Sequence, residues 1–257
     1  MFETIYLVYA FGNSAIKMSK KILLIFVFII FVIFSIVAFI FLYYNRPPYR
    51  SLIIDPLYHF ETQEKIVALT FDDGPSETWT PLLLDLLEKY EVKATFFMIG
   101  ENIEKFPDVA KSVYEKGHEI GSHSYNHKRM IFKTPGFIRS DLEKTDRIIK
   151  DLGVSEVKSY RPPYGDKMIL LPLELKKQGK TLVTFDVQAM SEYQRENQDS
   201  SMISREILDQ IEPGSIIVMH DGRGYNSTTF LKAVEEIIVE LKTEGYRFVK
   251  VQEGISL

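Results

Sequence analysis

Two adjacent carboxylates, Asp72 and Asp73, directly follow the apolar run Ile66-Val67-Ala68-Leu69-Thr70-Phe71, and Gly74-Pro75 comes next. Asp-Gly-Pro is good turn chemistry, which by itself accounts for the pair. The alternative is a division of labour, with one Asp ligating a metal ion and the other facing the water that the ion activates. His123 and His127 stand four residues apart in Gly121-Ser122-His123-Ser124-Tyr125-Asn126-His127. On a helical turn that spacing puts both rings on one face, in reach of one metal, although solvated surface histidines share it. One Asp and two His make a three-ligand site with positions open for water and substrate. In Tyr160-Arg161-Pro162-Pro163-Tyr164-Gly165 the prolines stiffen the chain. The segment is either a rigid connector or a loop that pairs Arg161 with a carboxylate and presents a backbone N–H. His220 closes the apolar run that begins at Gly214. A lone histidine there is more often structural, but together with the other groups it is a candidate general acid. The chemistry these residues suggest is a metal site with room for water and substrate and a candidate general acid beside it.

For these groups to meet, separate pieces of chain must deliver them to one place. Short β-rich runs at 66–70, 94–98, 119–122, 181–187, 215–219 and 247–251 alternate with amphipathic stretches near 80–90, 107–116, 135–151, 168–178, 201–211 and 228–244. Gly117, Gly153, Gly179 and Gly245 stand just past four of these stretches, where a left-handed helix stop is expected. Pro107 and Pro135 stand where helices should begin. The alternation predicts an α/β domain with a parallel sheet and helices outside, open or closed as a barrel. Chemistry in such folds gathers at the carboxyl ends of the strands, which is where Asp72, His123 and His220 fall. His118 is expected to be structural, Trp79 to pack, and His59 to be solvated.

The chain has 257 residues, a net charge of −4 and no cysteine. Disulfides, thiolate zinc sites, iron–sulfur clusters and Cys nucleophiles are therefore excluded, and any metal must be held by oxygen and imidazole. The mildly acidic balance argues against nucleic acid as a partner bound by bulk charge. The charge is uneven. Residues 1–50 carry five basic side chains against one acidic, which leaves −8 for the rest. Residues 22–44 are uncharged, with Ser35 the one non-hydrophobic member. About 20 apolar residues span a bilayer as a helix, so a single transmembrane helix in contact with lipid is expected. Lys17, Lys20 and Lys21 precede it and Arg46 and Arg50 follow, a modest positive-inside bias. The run exceeds the ~7–15 residues of a signal peptide's apolar region and no Ala-x-Ala-like site ends it, which favours an uncleaved anchor. The predicted organisation is a cytoplasmic segment 1–21, the membrane helix 22–44, a proline-containing stalk 45–63 and an extracytoplasmic domain 64–257, expected to be monomeric. Met18-Ser19-Lys20-Lys21 has the look of a translation start, so residues 1–17 are either an upstream extension or a short cytoplasmic tail.

Read in order, Thr70-Phe71-Asp72-Asp73-Gly74-Pro75, His123-Ser124-Tyr125-Asn126-His127, Arg161-Pro162-Pro163-Tyr164-Gly165 and Val218-Met219-His220 resemble four of the five motifs of the polysaccharide deacetylase family, the NodB-homology carbohydrate esterases. The likeness runs from about residue 66 to 251. It implies a distorted (β/α) barrel of about seven parallel strands and a metal-dependent hydrolase that removes acetyl groups, N-acetyl above all, from polysaccharides. By the resemblance, Asp73, His123 and His127 would bind the divalent metal, usually zinc and sometimes cobalt, nickel or manganese. Asp72 would be the base acting on a metal-bound water, Arg161 would orient it, and His220 would be the acid. The Tyr164 backbone N–H would help hold the oxyanion, and Pro162, Tyr164 and Gln188 would border the substrate. An anchored domain beside the cell wall makes peptidoglycan the leading substrate.

The fourth motif departs. The family pattern Asp-x-x-Asp-Trp aligns with Gln188-Ala189-Met190-Ser191-Glu192, so both carboxylates and the Trp are replaced. Asp186, two residues before Gln188 and on the same strand face by period two, is the expected substitute partner for His220. The polar stretch 191–201 is either a specificity loop or a solvated connector. Two further functions stay open: a deacetylase or deformylase of another glycan (chitin oligomer, exopolysaccharide, xylan or lipid-linked sugar), or a metal-binding pseudoenzyme that only binds glycan.

Overall fold

The computed structural model describes residues 7–11, 14–45, 48–193, 199–221 and 228–257. The chain divides into two compact units, Met1–Tyr44 and Asn45–Leu257. In the first, β1 (Leu7–Phe11) pairs antiparallel with β2 (Ser14–Met18). Helix α1 (Lys20–Asn45) follows and contains the whole uncharged run. Its 26 residues rise about 39 Å at 1.5 Å each, longer than a hydrocarbon core of about 30 Å.

The second unit is organised around β3 (Ile66–Asp72), which is buried along its whole length. A run of Ile, Val, Ala and Leu with no polar alternation is what an interior parallel strand, covered on both faces, requires. After β3 come α2 (Trp79–Lys89), β4 (Thr95–Met98), α3 (Gly100–Lys105), α4 (Pro107–Glu115), β5 (Glu119–Ser122), α5 (Pro135–Asp151), β6 (Ser159–Tyr160), α6 (Leu170–Lys177), β7 (Thr181–Leu182), β8 (Val187–Gln188), α7 (Ser200–Leu208), β9 (Ile216–His220), α8 (Thr228–Thr243), β10 (Arg247–Phe248) and α9 (Val251–Gly254). Seven strands pair in parallel in the order β7-β6-β5-β4-β3-β9-β8, and β10 lies parallel beside the start of β3. This is the α/β distorted barrel expected.

Local chemistry explains the helices that hold the strands. Helix α5 starts where the Thr134 hydroxyl accepts the Phe137 N–H at 3.2 Å, with Pro135 in the first turn; both features suit a helix start. It then buries Ile138, Leu142 and Ile149 on one face, each contributing roughly 1.5–3 kcal/mol. Gly117 (φ 81) and Gly245 (φ 85) follow α4 and α8 in the left-handed region, as helix-stopping glycines do. The main core joins the inner faces of α2, α4, α7 and α8 to β3, β4 and β9.

The expected single strand 181–187 is instead split. Val183 donates its N–H to Tyr160 on the β6 side, while Asp186 donates to Ile216 of β9. The stretch therefore crosses from one sheet edge to the other and keeps only two residues of pairing at each end. The gap is filled from the expected stalk. Leu57 pairs with Val183 and His59 with Ser215, and Phe60 is buried among Ile66, Ile216 and Val251. His59 is not solvated: its Nδ1 lies 2.7 Å from the Asp186 carboxylate. The short β6, α3 and α9 carry too few residues to reveal a period and were not expected.

Candidate active site

Because the seven sheet strands run parallel, their carboxyl ends share one edge. Asp72 ends β3 and His220 ends β9, and the two are register partners on neighbouring strands. His123 follows β5 and Arg161 follows β6, with the Arg161 N–H donating to Ser122 O at 3.0 Å. These ends surround a cavity of about 450 Å³ that Asp72, His123, His127, Arg161 and His220 line, with Pro162, Tyr164 and Gln188 on its rim.

The neighbouring Asp side chains are turned apart by the backbone. Asp72 is still in the strand, whereas Asp73 has φ 73, a left-handed conformation that Asp tolerates better than most residues. Asn102 fixes the turn by donating to Asp73 O at 2.7 Å. Gly74 is required here, since a Cβ on it would lie 2.4 Å from the Asp221 carboxylate.

Asp72 is buried, and one of its oxygens accepts from Arg161 Nη1 at 2.8 Å. Arg161 is itself buried. It donates further to Thr70 Oγ1 (2.7 Å) and Thr184 O (2.8 Å) and lies over the Phe97 ring. Burial pushes the guanidinium pKa down, and the Asp72 charge opposes that. The second Asp72 oxygen lies 4.0 Å from His123 Nε2.

The donor atoms of Asp73, His123 and His127 lie within 4.8 Å of one another. Asp73 Oδ1 is 3.1 Å from His127 Nε2 and 3.4 Å from His123 Nε2. His123 Nδ1 lies 2.7 Å from Arg161 O. A carbonyl can only accept, so Nδ1 carries the proton and Nε2 is the ring atom turned to the site, the orientation metal-ligating histidines commonly have. The donor set therefore fits a divalent cation. Burial alone would raise the Asp73 carboxyl, but the two rings override it and hold the group well below the usual carboxylate range.

The two histidines do not converge by sitting on a helical turn. Residues 123–127 form an irregular loop in which Ser124 (φ 65) and His127 (φ 53) are left-handed. Ser124 Oγ accepts the His127 N–H at 3.0 Å. Asp141 of α5 accepts the Tyr125 N–H at 3.1 and 3.2 Å. Burial raises the Asp141 carboxyl to about 6, against the pull of that N–H.

Asp186 is not the partner of His220. Its carboxylate is occupied by His59, by Ser215 Oγ (3.0 Å) and by the Ile216 N–H (2.7 Å), one step back from the cavity. The partner is Glu192, missed in the sequence. Its Oε1 accepts the His220 N–H at 2.7 Å and its Oε2 lies 3.1 Å from Nδ1. Tyr193, next in sequence, stands edge-on to the His220 ring and lines the cavity. Shifting the alignment by one residue puts Glu192-Tyr193 on the Asp-Trp that closes the fourth motif, with the acidic–aromatic order as the signal. Ser191 anchors this segment by donating its N–H and Oγ–H to Glu206. Of the expected specificity loop 191–201, residues 194–198 lie outside the described residues. Tyr164 sits on the rim with φ 59, its ring between His127 and Arg129.

The chain is similar to known proteins. Residues 59–183 match the family model for polysaccharide deacetylases. A peptidoglycan-N-acetylglucosamine deacetylase of Bacillus cereus is 38% identical over 186 residues, 71% of this chain and 66% of that protein. A second enzyme of that name and organism is 35% identical over 74% of this chain and 88% of its own length. The crystal structure of a peptidoglycan N-acetylglucosamine deacetylase in complex with a benzamide superposes with a TM-score of 0.73 at 33% identity, covering 78% of this chain and 92% of that one.

Proposed function

The chain belongs to the polysaccharide deacetylase family, and from that premise we propose that it removes N-acetyl groups from a cell-surface glycan, peptidoglycan first, by metal-dependent hydrolysis. The observation that carries this reading is the arrangement of Asp72. One oxygen is held by Arg161 and the other faces His123 of the Asp73–His123–His127 set, while His220 is its register partner on the next strand.

An amide carbonyl is a poor electrophile and its amine a poor leaving group. A divalent ion, zinc first among candidates, held by Asp73, His123 and His127, supplies Lewis-acid polarisation of the carbonyl and acidification of water when bound. Asp72 takes the proton of the attacking water. Its ion pair with Arg161 holds one oxygen and aims the other at the reacting atoms. The Tyr164 backbone N–H is suited to donate to the oxyanion, a contribution typically worth ~10²–10³ in rate. His220, with Glu192 behind its Nδ1, gives a proton to the departing sugar nitrogen. Base and acid lie on different strands and so flank the bond. Pro162, Tyr164, Gln188 and Tyr193 border the space for the sugar. The uncharged helix at 22–44 serves as a membrane anchor that keeps this site outside the cytoplasm, beside the wall.

The test is acetate release by the full chain in detergent, with peptidoglycan, chitin oligomers and acetylated xylan as substrates, before and after chelation and zinc readdition. Metal-dependent acetate release that is highest on peptidoglycan is expected. Faster release from another glycan would reassign the substrate. Metal binding with no release from any of them would leave a glycan-binding protein without catalysis.

A further inference from the structure

We propose that the domain lies against the outer surface of the bilayer through an apolar patch next to the catalytic mouth, formed by residues 128–133 and the start of α6. The inference rests on the reading that residues 22–44 stay in the membrane.

Phe132 is 91% exposed and has φ 61. A bulky residue takes the left-handed backbone only at a cost, and here the result is an aromatic ring held out in water. Ile169 (43%) and Leu170 (38%) are also exposed. With Ile131, Met168 and Asp166 they line a shallow, mostly apolar cavity of about 220 Å³. Exposed apolar groups gathered in one place mark an interaction surface. Cations flank this one: Lys128 and Arg129 are exposed, and Lys133 adjoins Phe132 with its ammonium 5.2 Å from the Phe137 ring. Asp166 is the facing acid, and Arg129 pairs with it at 3.0 Å, so Lys128 and Lys133 set the local sign. An exposed aromatic and aliphatic cluster within a basic rim is the composition that enters an anionic lipid interface.

The point where the chain enters the folded unit selects lipid over a soluble partner. Asn45, the first residue of that unit, donates from Nδ2 to Asp166 at 3.3 Å. It also accepts the Lys167 N–H at 2.9 Å and the Lys167 ammonium at 2.8 Å. Asp166 is thus both a wall of the apolar cavity and a tether of the chain one peptide beyond Tyr44. Consecutive Cα atoms are about 3.8 Å apart, so an anchor ending at Tyr44 tethers Asn45, and the Asp166 wall to which it is bonded, within reach of a bilayer. Tyr43 and Tyr44 are the kind of residue that sits at that interface. Arg129 borders the catalytic cavity as well, so docking here turns the mouth toward glycan lying at the membrane.

The absence of cysteine makes a direct test available. The full chain carrying one introduced cysteine, labelled with nitrobenzoxadiazole, is reconstituted in vesicles of phosphatidylglycerol and phosphatidylethanolamine. Phe132→Cys and Ile169→Cys report the patch, the second leaving Phe132 in place. Lys111→Cys, exposed on α4, reports solvent, and Val32→Cys reports the anchor. The expected result is blue-shifted emission at 132 and 169, most of it lost to lipids spin-labelled near the headgroup, with no effect at 111. Emission at 132 and 169 matching that at 111, while 32 is quenched by lipids labelled mid-chain, overturns the docking and leaves the anchor standing. A blue shift that no spin-labelled lipid quenches also overturns it, in favour of a protein covering the patch. An unquenched label at 32 removes the anchor and the docking with it.

Discussion

Glu192 holds His220 at two points, its Oε1 on the backbone N–H at 2.7 Å and its Oε2 3.1 Å from Nδ1. With Nδ1 turned to a carboxylate, the orientation of the ring is fixed from behind, and Tyr193 packs against it. Glu192→Gln keeps an acceptor for the backbone N–H and removes the charge. The expected outcome is a fall in kcat/KM of about 10–10²-fold, short of the ~10²–10⁴ that loss of proton transfer itself costs. A kcat/KM equal to the parent's would reduce Glu192 to a structural clamp.

The two neighbouring carboxylates should separate by experiment. Asp73→Ala and His127→Ala should lose bound metal, measured by elemental analysis after dialysis, because each removes one of three ligands. Asp72→Asn should keep the metal and lose about 10²–10⁴ in acetate release. Loss of metal in Asp72→Asn would show that the roles are wrongly divided.

Arg161 is buried and makes its ion pair with Asp72, a carboxylate that is itself buried. Arg161→Met leaves a buried carboxylate uncompensated, at about 3–5 kcal/mol. The double variant with Asp72→Asn removes that charge and should recover most of the loss. Denaturant melts of the parent, both single variants and the double variant give the coupling directly; additive losses would refute it.

Asp186→Asn carries the opposite expectation. Its carboxylate holds His59, Ser215 and the Ile216 N–H, so kcat and its pH profile should be unchanged. The thermal midpoint should fall, because a hydrogen bond to a charged group contributes about 1.5–3 kcal/mol. A changed pH–rate profile would return Asp186 to the acid arm.

What was legible in the sequence was whatever local order encodes. The run Ile66-Val67-Ala68-Leu69 announces a buried strand, and Asp72 and His220 follow their strands directly, so the sharing of one sheet edge could be foreseen. The meeting of His123 and His127 could be foreseen in outcome but not in means, since two left-handed residues, Ser124 and His127, bend the loop where a helical turn was expected. Glu192 was hidden because setting Gln188 on the first Asp of the fourth motif starts the alignment one residue early and puts Glu192 on the Trp. The His59–Asp186 pair spans 127 residues of sequence. No periodicity reports such a contact, which is why a segment that fills the gap in the barrel reads as stalk.

His118 offers a test of stability away from the site. It is buried at the start of β5, its Nδ1 accepts the Ala94 N–H at 3.1 Å, and its ring stands edge-on to Phe96. An accepting Nδ1 requires a ring that is not doubly protonated. Burial, and then the nearby Lys93 and Lys116, lower its pKa to about 4. In the unfolded chain the group titrates near 6.5. Above that pH both states are neutral and its contribution to stability is complete. Between about 6.5 and 4 the unfolded chain takes up a proton that the fold refuses, so stability falls by up to about 3 kcal/mol. His118→Asn keeps an acceptor near the Nδ1 position and does not titrate. Its thermal midpoint should therefore drop less than the parent's between pH 7 and pH 4. Equal slopes for the two proteins would mean that the fold admits the protonated ring, and that the Ala94 hydrogen bond does not hold it neutral.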